Sequence, residues 1–159
     1  MKLNNFDLIT FDLENKEHLI LLEKIIKSNG SELISGDIKR FVERNIELNK
    51  KDNITNCYII ENNNSFIGLA FLNYHPEEKE DEKILSEEIE IGLGILPEFR
   101  GKHLGSQFEK EFSEYLLNKY PQFNEVVARI DNNNLKSINA VKKAGFEHIE
   151  GEEYHFKRF

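Results

Sequence analysis

Ile89-Glu90-Ile91-Gly92-Leu93-Gly94-Ile95-Leu96-Pro97-Glu98-Phe99-Arg100-Gly101-Lys102-His103-Leu104-Gly105-Ser106 is the stretch from which the rest of the chain can be read. Ile89, Ile91, Leu93 and Ile95 alternate with Glu90, Gly92 and Gly94, the period of a β-strand that packs one face on a core. Two glycines inside a strand weaken it unless a ligand or another backbone approaches there. The glycine side therefore predicts a groove floor that could accept an extended, amide-containing chain through main-chain hydrogen bonds. Pro97 follows the strand, and a helix is predicted from about Gly105 to Lys119, with Phe108, Phe112 and Leu116 as its core stripe and Tyr115 beside them. Free N–H groups at a helix start, the positive end of its dipole, Arg100, Lys102 and two permissive glycines together suit a pyrophosphate. No Lys-Ser/Thr pair follows Gly105 and the three-glycine dinucleotide spacing is absent, so neither common phosphate fingerprint is present. The competing reading is an ordinary helix entry with both cations in solvent.

Outward from this stretch, Phe6 to Leu13 reads as a strand, and Asn15 as the N-cap of a helix carrying Leu19, Leu22, Ile25 and Ile26. Ser28, Asn29 and Gly30 stop it. A second helix opens after Gly36 and Asp37, with Ile38, Phe41, Val42 and Ile46 at helical spacing, and ends within Lys50 to Asn53. Cys57 to Ile60 and Ser65 to Tyr74 are strands joined by a turn at Glu61-Asn62-Asn63-Asn64, where Asn tolerates left-handed backbone. His75 to Lys83 reads as a polar loop and Ile84 to Ile95 as one long strand. Downstream, Pro121 closes the helix that follows Gly105. Glu125 to Ile130 is a strand, Asn134 to Lys143 a helix ended by Gly145, and Phe146 to Ile149 and Glu153 to Phe159 are closing strands. The order β, α, α, β, β, β, α, β, α, β, β predicts a mixed α/β sheet in one domain spanning 1–159, without repeats or linkers.

Composition narrows the partners. The 159 residues carry 29 Asp plus Glu against 21 Lys plus Arg, a formal charge of −8, so no global basic field gathers nucleic acid or anionic lipid. Cys57 is the single cysteine, which forbids an intrachain disulfide and predicts a reducing, cytoplasmic setting. Met1 to Leu13 does not read as a leader, and no apolar run reaches the roughly 18 residues of a membrane span. His18, His75, His103, His148 and His155 lack metal-ligand spacing, so no metal is implied. Cys57 reads as a small buried hydrophobe. The segment Tyr154 to Phe159 leaves two outcomes open, closing the sheet or pairing with a second copy as a homodimer.

Arg100-Gly101-Lys102-His103-Leu104-Gly105, entered through Pro97-Glu98-Phe99, resembles the Arg/Gln-x-x-Gly-x-Gly/Ala signature of the GNAT superfamily of N-acyltransferases, with His103 in place of the first signature glycine. Asn134-Leu135-Lys136-Ser137 followed by Lys143-Ala144-Gly145-Phe146 resembles that family's second motif, in the style of the ribosomal-protein N-terminal acetyltransferases. The resemblance implies a twisted, mostly antiparallel sheet of about seven strands with about four helices, and acetyl-CoA as co-substrate. It implies cofactor contacts from Ile95, Leu96, Arg100, Gly101, Lys102, His103, Leu104, Gly105, Ser106, Asn134, Ser137 and Lys143, with main-chain N–H groups around Ile95 and Leu96 polarising the thioester carbonyl.

The implied reaction is direct attack of a primary amine on the thioester. Glu90 is the candidate general base, directly or through one water, against the plainer reading of a structural ion pair. Val141 stands where many members carry a tyrosine acid, so Ser137, Tyr154 or solvent must substitute in protonating the leaving thiolate. Glu77, Glu78, Glu80, Asp81, Glu82, Glu87 and Glu88 predict a negative rim that attracts a small cationic amine or a basic peptide N-terminus. Two other readings use the same residues: a catalytically degenerate acyl-CoA-binding sensor or scaffold, and a phosphate binder unrelated to acyl transfer.

Overall fold

A computed structural model describes residues 1–28, 35–76, 78–80, 83–85 and 87–158. The elements, in chain order, are β1 (Asp7–Thr10), α1 (Lys16–Ser28), α2 (Ser35–Asp52), β2 (Asn56–Asn62), β3 (Ser65–His75), β4 (Glu78–Glu80), β5 (Lys83–Leu85) and β6 (Glu88–Ile95). After a 3₁₀ turn at Pro97–Phe99 come α3 (Leu104–Lys119), β7 (Glu125–Arg129), α4 (Leu135–Ala144), β8 (Glu147–Glu150) and β9 (Glu153–Lys157). Seven strands form one sheet in the order β1-β2-β3-β6-β7-β9-β8, and β4 pairs with β5 in a separate two-stranded sheet. The mixed sheet with four helices is as the sequence predicts.

Local chemistry explains the boundaries. Asn15 caps α1 by accepting from the N–H groups of Glu17 at 2.9 Å and His18 at 3.3 Å. Asn63 and Asn64 both take positive φ, 50° and 62°, which closes the β2–β3 hairpin in the two-residue turn that matches strand twist. Gly145, at φ 108°, ends α4. Ser28 is the last residue of α1; Asn29 and Gly30, read as completing its stop, lie outside the described residues.

Two expectations change. Ile84 to Ile95 is not one strand: Lys83–Leu85 pairs with Glu78–Glu80, and β6 begins at Glu88. The segment from His75 to Lys83 is correspondingly not all loop, because His75 ends β3 opposite Glu88. β-propensity marks residues able to pair, whereas the available partner decides which ladder they join. The closing segment pairs within its own chain, β9 lying between β7 and β8 with Tyr154 and Phe156 buried. Phe159 lies outside the described residues.

Both sheet faces are covered, by different helices. Phe108, Phe112 and Leu116 of α3, with Ile138, Val141 and Ala144 of α4, pack on Tyr58, Ile60, Ala70, Leu72, Ile89, Ile91 and Val126. Leu21, Leu22, Ile25 and Ile26 of α1 and Val42 of α2 pack on Cys57, Ile59 and Leu69 of the other face. Each fully buried Phe or Leu contributes about 1.5–3 kcal/mol. Burial pushes the Cys57 thiol up, as fits an inert core residue.

Glycines in the central strands serve packing. Gly94 lies beneath Ile25 of α1, whose Cγ2 would be 3.4 Å from an added Cβ, and Gly92 lies beside Phe71. The glycine side of β6 is therefore a seat for α1 at Gly94, which corrects the open groove floor expected there. Gly68 is the tightest position: an added Cβ would stand 2.1 Å from the Gly94 carbonyl oxygen. It follows the point where the β2–β3 register jumps between Ile60 and Glu61, a bulge that leaves Ile67 as the extra residue. Helix α3 also buries an unpaired acid: Glu109 is 7% exposed, and its Oε2 and the Ser113 Oγ have no hydrogen-bond partner among the described residues.

Two measurements check this account. Gly68→Ala must push two backbones apart, and is expected to cost about 1–3 kcal/mol, read as a lower urea midpoint at unchanged slope. Burial pushes Glu109 up from 4.5 to about 8. The folded protein thus holds a proton that the unfolded chain releases, so stability is full below about pH 4.5 and falls as pH rises through about 8. Glu109→Gln is expected to flatten that decline in melts recorded across the same range.

Candidate active site

The site begins where two neighbouring strands stop pairing. β6 and β7 are parallel, and their register covers only Ile89 opposite Val126 and Glu90 opposite Val127. β6 continues to Ile95 paired with β3 on its other side, and β7 is paired throughout with β9. Beyond Glu90 the sheet therefore opens as a wedge. The Leu96 N–H donates to the Ile67 carbonyl at 2.8 Å. By the alternation of an antiparallel ladder, the N–H groups of Ile91, Leu93 and Ile95 then point to the β7 side, into the wedge. Of the two main-chain donors expected to polarise a carbonyl, Ile95 is so directed, whereas the Leu96 N–H is spent on β3.

The wide end of the wedge meets the start of α3. Arg100 donates from Nε to the Ile95 carbonyl at 2.9 Å and from Nη2 to the Ser28 hydroxyl at 3.4 Å, which ties this turn to β6 and α1. Gly101 has φ 75° with nothing within 4 Å of an added Cβ, and Gly105 packs against Leu93. His103 is the N-cap of α3 at φ 60°, the left-handed conformation that a glycine supplies without strain. Histidine here adopts the glycine-like backbone itself, so the departure from the signature leaves the turn intact. Its side chain does not cap the helix, and no acidic residue lies in the first turn of α3. Leu104, Gly105 and Ser106 therefore present helix-start N–H groups, while the Ser106 hydroxyl donates back to the His103 carbonyl at 3.1 Å.

Positive charge gathers around these groups. Lys143, from the last turn of α4, lies 2.7 Å from His103 Nδ1, and Lys102 sits over the Phe99 ring with its Nζ 5.8 Å from the centroid. An uncapped helix start with Arg100, Lys102 and Lys143 nearby fits a pyrophosphate by donor set and charge. Asn134 and Ser137 are joined to each other instead: Asn134 caps α4, its side-chain oxygen accepting from the Ser137 N–H at 3.3 Å. Val141 is in the core, and Tyr154 is buried with its ring 4.9 Å from that of His148.

At the closed end, on the face that carries α1 and α2 farther along the sheet, charged side chains from four strands converge. Glu90 Oε2 accepts from Arg129 Nη1 at 2.7 Å and lies 3.0 Å from His75 Nε2. Arg129 Nη2 reaches Glu88 at 2.7 Å and Glu153 at 3.4 Å. His155 lies between Glu125 at 3.0 Å and Glu153 at 2.5 Å. Burial pushes the Glu90 carboxyl up, but the His75 hydrogen bond and the Arg129 charge outweigh it and hold it below the usual carboxylate range. His75 is raised, chiefly by its bond to Glu90. Ligand atoms of His75, Glu88 and Glu90 lie within 4.8 Å of one another, but both carboxylates are already engaged by the Arg129 guanidinium. Neither His75 nor Arg129 stood out in the sequence, because nothing local ties them to Glu90. Of the expected acidic rim, Glu87 accepts from the Tyr74 hydroxyl at 2.8 Å, while Glu77, Asp81 and Glu82 lie outside the described residues.

A sheet opened between two parallel strands, with a cationic helix start at one end, defines an acyl-CoA N-acyltransferase fold. The profile of the acetyltransferase (GNAT) domain family matches residues 21–147, and the chain belongs to that family. It is thus a GNAT-type acetyltransferase, with acetyl-CoA as co-substrate. Aminoglycoside acetyltransferase AAC(6')-Ib, solved with coenzyme A, is similar in structure at TM-score 0.67 and 20% identity, over 97% of this chain and 94% of that one. A Salmonella typhimurium acetyltransferase that modifies the N-terminal serine of ribosomal protein L7/L12 is similar at TM-score 0.70 and 15% identity, over 98% and 96%. RimL, a ribosomal L7/L12 α-N-protein acetyltransferase solved with coenzyme A, is similar at 0.66 and 14%, over 97% and 94%. Among proteins with curated descriptions, none matches this sequence. Among the described residues, no helix is long and apolar enough to cross a membrane.

The α4 cap supplies a test of what Asn134 does. Asn134→Ala should lower stability by about 1 kcal/mol, whereas Asn134→Asp, which keeps a capping oxygen, should restore most of it in urea titrations.

Proposed function

We propose that residues 1–159 act as one domain that transfers the acetyl group of acetyl-CoA to a primary amine of a small cationic molecule or a peptide N-terminus. The observation that carries this reading is the wedge, which runs from an uncapped cationic helix start to a carboxylate-rich face. The bound thioester supplies an activated acetyl group. Arg100, Lys102 and Lys143, with the N–H groups of Leu104, Gly105 and Ser106, bind the diphosphate. Main-chain N–H groups of the β6 edge hold the pantetheine arm and polarise the carbonyl, as an oxyanion site requires.

The acceptor side argues for a cation. Glu88, Glu90 and Glu153 surround one guanidinium, and Glu125 lies farther along the same face, so carboxylates outnumber the one arginine. Such a surface raises the local concentration of an ammonium ion. That ion must lose a proton before it can attack, and the Glu90 cluster at the closed end of the wedge takes it. Ser137 is the hydroxyl assigned to donate a proton to the leaving thiolate: it is half-buried in the first turn of α4 and its Oγ makes no hydrogen bond among the described residues. The similarity to acetyltransferases of an aminoglycoside and of a protein N-terminus supports an amine acceptor and leaves both kinds in the panel to be tested.

Thiol release from acetyl-CoA, followed over polyamines, aminoglycosides and basic peptides, tests the reading. Turnover is expected with at least one cationic amine. Arg100→Ala should weaken calorimetric acetyl-CoA binding about tenfold or more, the worth of a lost charge-assisted contact. Tight binding with no turnover across the panel would instead identify a degenerate acyl-CoA-binding module.

A further inference from the structure

We infer that His75 is the group that takes the proton from the acceptor ammonium, and that Glu90, clamped by Arg129, is its positioning residue. This rests on the proposed transfer to an amine and names the atom that performs its first step.

Geometry separates the two roles. The Glu90 Oε2 is engaged twice, by Arg129 Nη1 at 2.7 Å and by His75 Nε2 at 3.0 Å. A carboxylate held between a guanidinium and an imidazole stays ionised and is a poor proton acceptor. His75 is the last residue of β3, opposite Glu88, and its imidazole is about half exposed. A carboxylate can only accept, so Nε2 carries the proton toward Glu90 and the tautomer leaves the Nδ1 lone pair available. Nδ1 has no hydrogen-bond partner among the described residues. The position also fits: from the end of β3 the imidazole reaches Glu90, the last β6 residue in register with β7 and so the residue at which the wedge begins.

The surroundings favour a stronger base than an isolated histidine. The Glu90 bond raises His75; desolvation opposes it; the charges of Glu90 and Glu88 add to the rise, and Arg129 reduces it. Glu87, the next acid along, is taken by the Tyr74 hydroxyl. In the step itself, one N–H bond of the ammonium breaks and Nδ1–H forms. The nitrogen lone pair is freed for attack, the imidazolium charge faces Glu90, and the proton then passes to water.

The test measures acetyl transfer to the best amine of the panel from about pH 5.5 to 9, with KM determined separately for each substrate. In the wild type the acid limb of kcat is expected above the ordinary histidine value of about 6.5. His75→Gln should lower kcat about 10²-fold or more and remove that limb, with KM for acetyl-CoA unchanged. Glu90→Gln should shift the limb down toward about 6.5 with a smaller fall in kcat. NMR titration of the His75 ring gives an independent reading, with the raised pKa of the wild type dropping in Glu90→Gln. Wild-type turnover and an unchanged acid limb in His75→Gln would overturn the assignment and return the base to Glu90. An unshifted His75 ring would overturn the pairing whatever the kinetics. A shifted ring in a protein that acetylates no amine would overturn the proposed function, and the catalytic role with it.

Discussion

The short register between β6 and β7 is the constraint on which the site depends. Each strand is fully paired on its outer side, β6 with β3 along its whole length and β7 with β9. Only Ile89 and Glu90 join the two halves of the sheet. Unpaired main-chain groups inside a protein are costly, so such an opening persists only if something prevents the strands from zipping together. Here helices hold both faces: Ile25 of α1 packs over Gly94 of β6, while α3 and α4 pack on the opposite face across both halves of the sheet. What would be a defect in a continuous sheet becomes a row of N–H and C=O groups available to an extended, amide-rich ligand.

Charge is divided along that opening. At its wide end the start of α3 has no acidic residue in its first turn and is ringed by Arg100, Lys102 and Lys143, a surrounding matched to a diphosphate. At its closed end the charges reverse, and Glu88, Glu90 and Glu153 converge on Arg129. The protein is acidic as a whole, yet the two ends of one site differ in sign. A single guanidinium organises the acidic end: it keeps three carboxylates from repelling one another and fixes the orientation of Glu90, and through Glu90 that of His75.

Much of this is legible in one dimension because the determinants are local. Alternation in Ile89 to Ile95, the Asn15 and Asn134 caps, the Asn63-Asn64 turn and the Gly145 stop each act within a few residues, and each element forms where its signal lies. The cationic α3 start is equally local, since Arg100 to Ser106 is contiguous. Even His103, standing at a glycine position of the signature, takes the left-handed backbone that glycine adopts freely.

The remainder depends on partners distant in the chain. Which ladder Lys83–Leu85 would join, that the Leu96 N–H is consumed by Ile67, that Gly94 seats a helix and that Gly68 faces the Gly94 carbonyl are decided by strand register and by helices packing across the sheet. His75, Glu90 and Arg129 come from three strands and meet only because β6 lies between β3 and β7. The amino-acid order by itself therefore determined the elements, the family signature and the anion-binding turn, through short-range sterics and capping. Tertiary structure alone decided where the sheet opens and which charged side chains meet there, because pairing and ion contacts are set by distance in space.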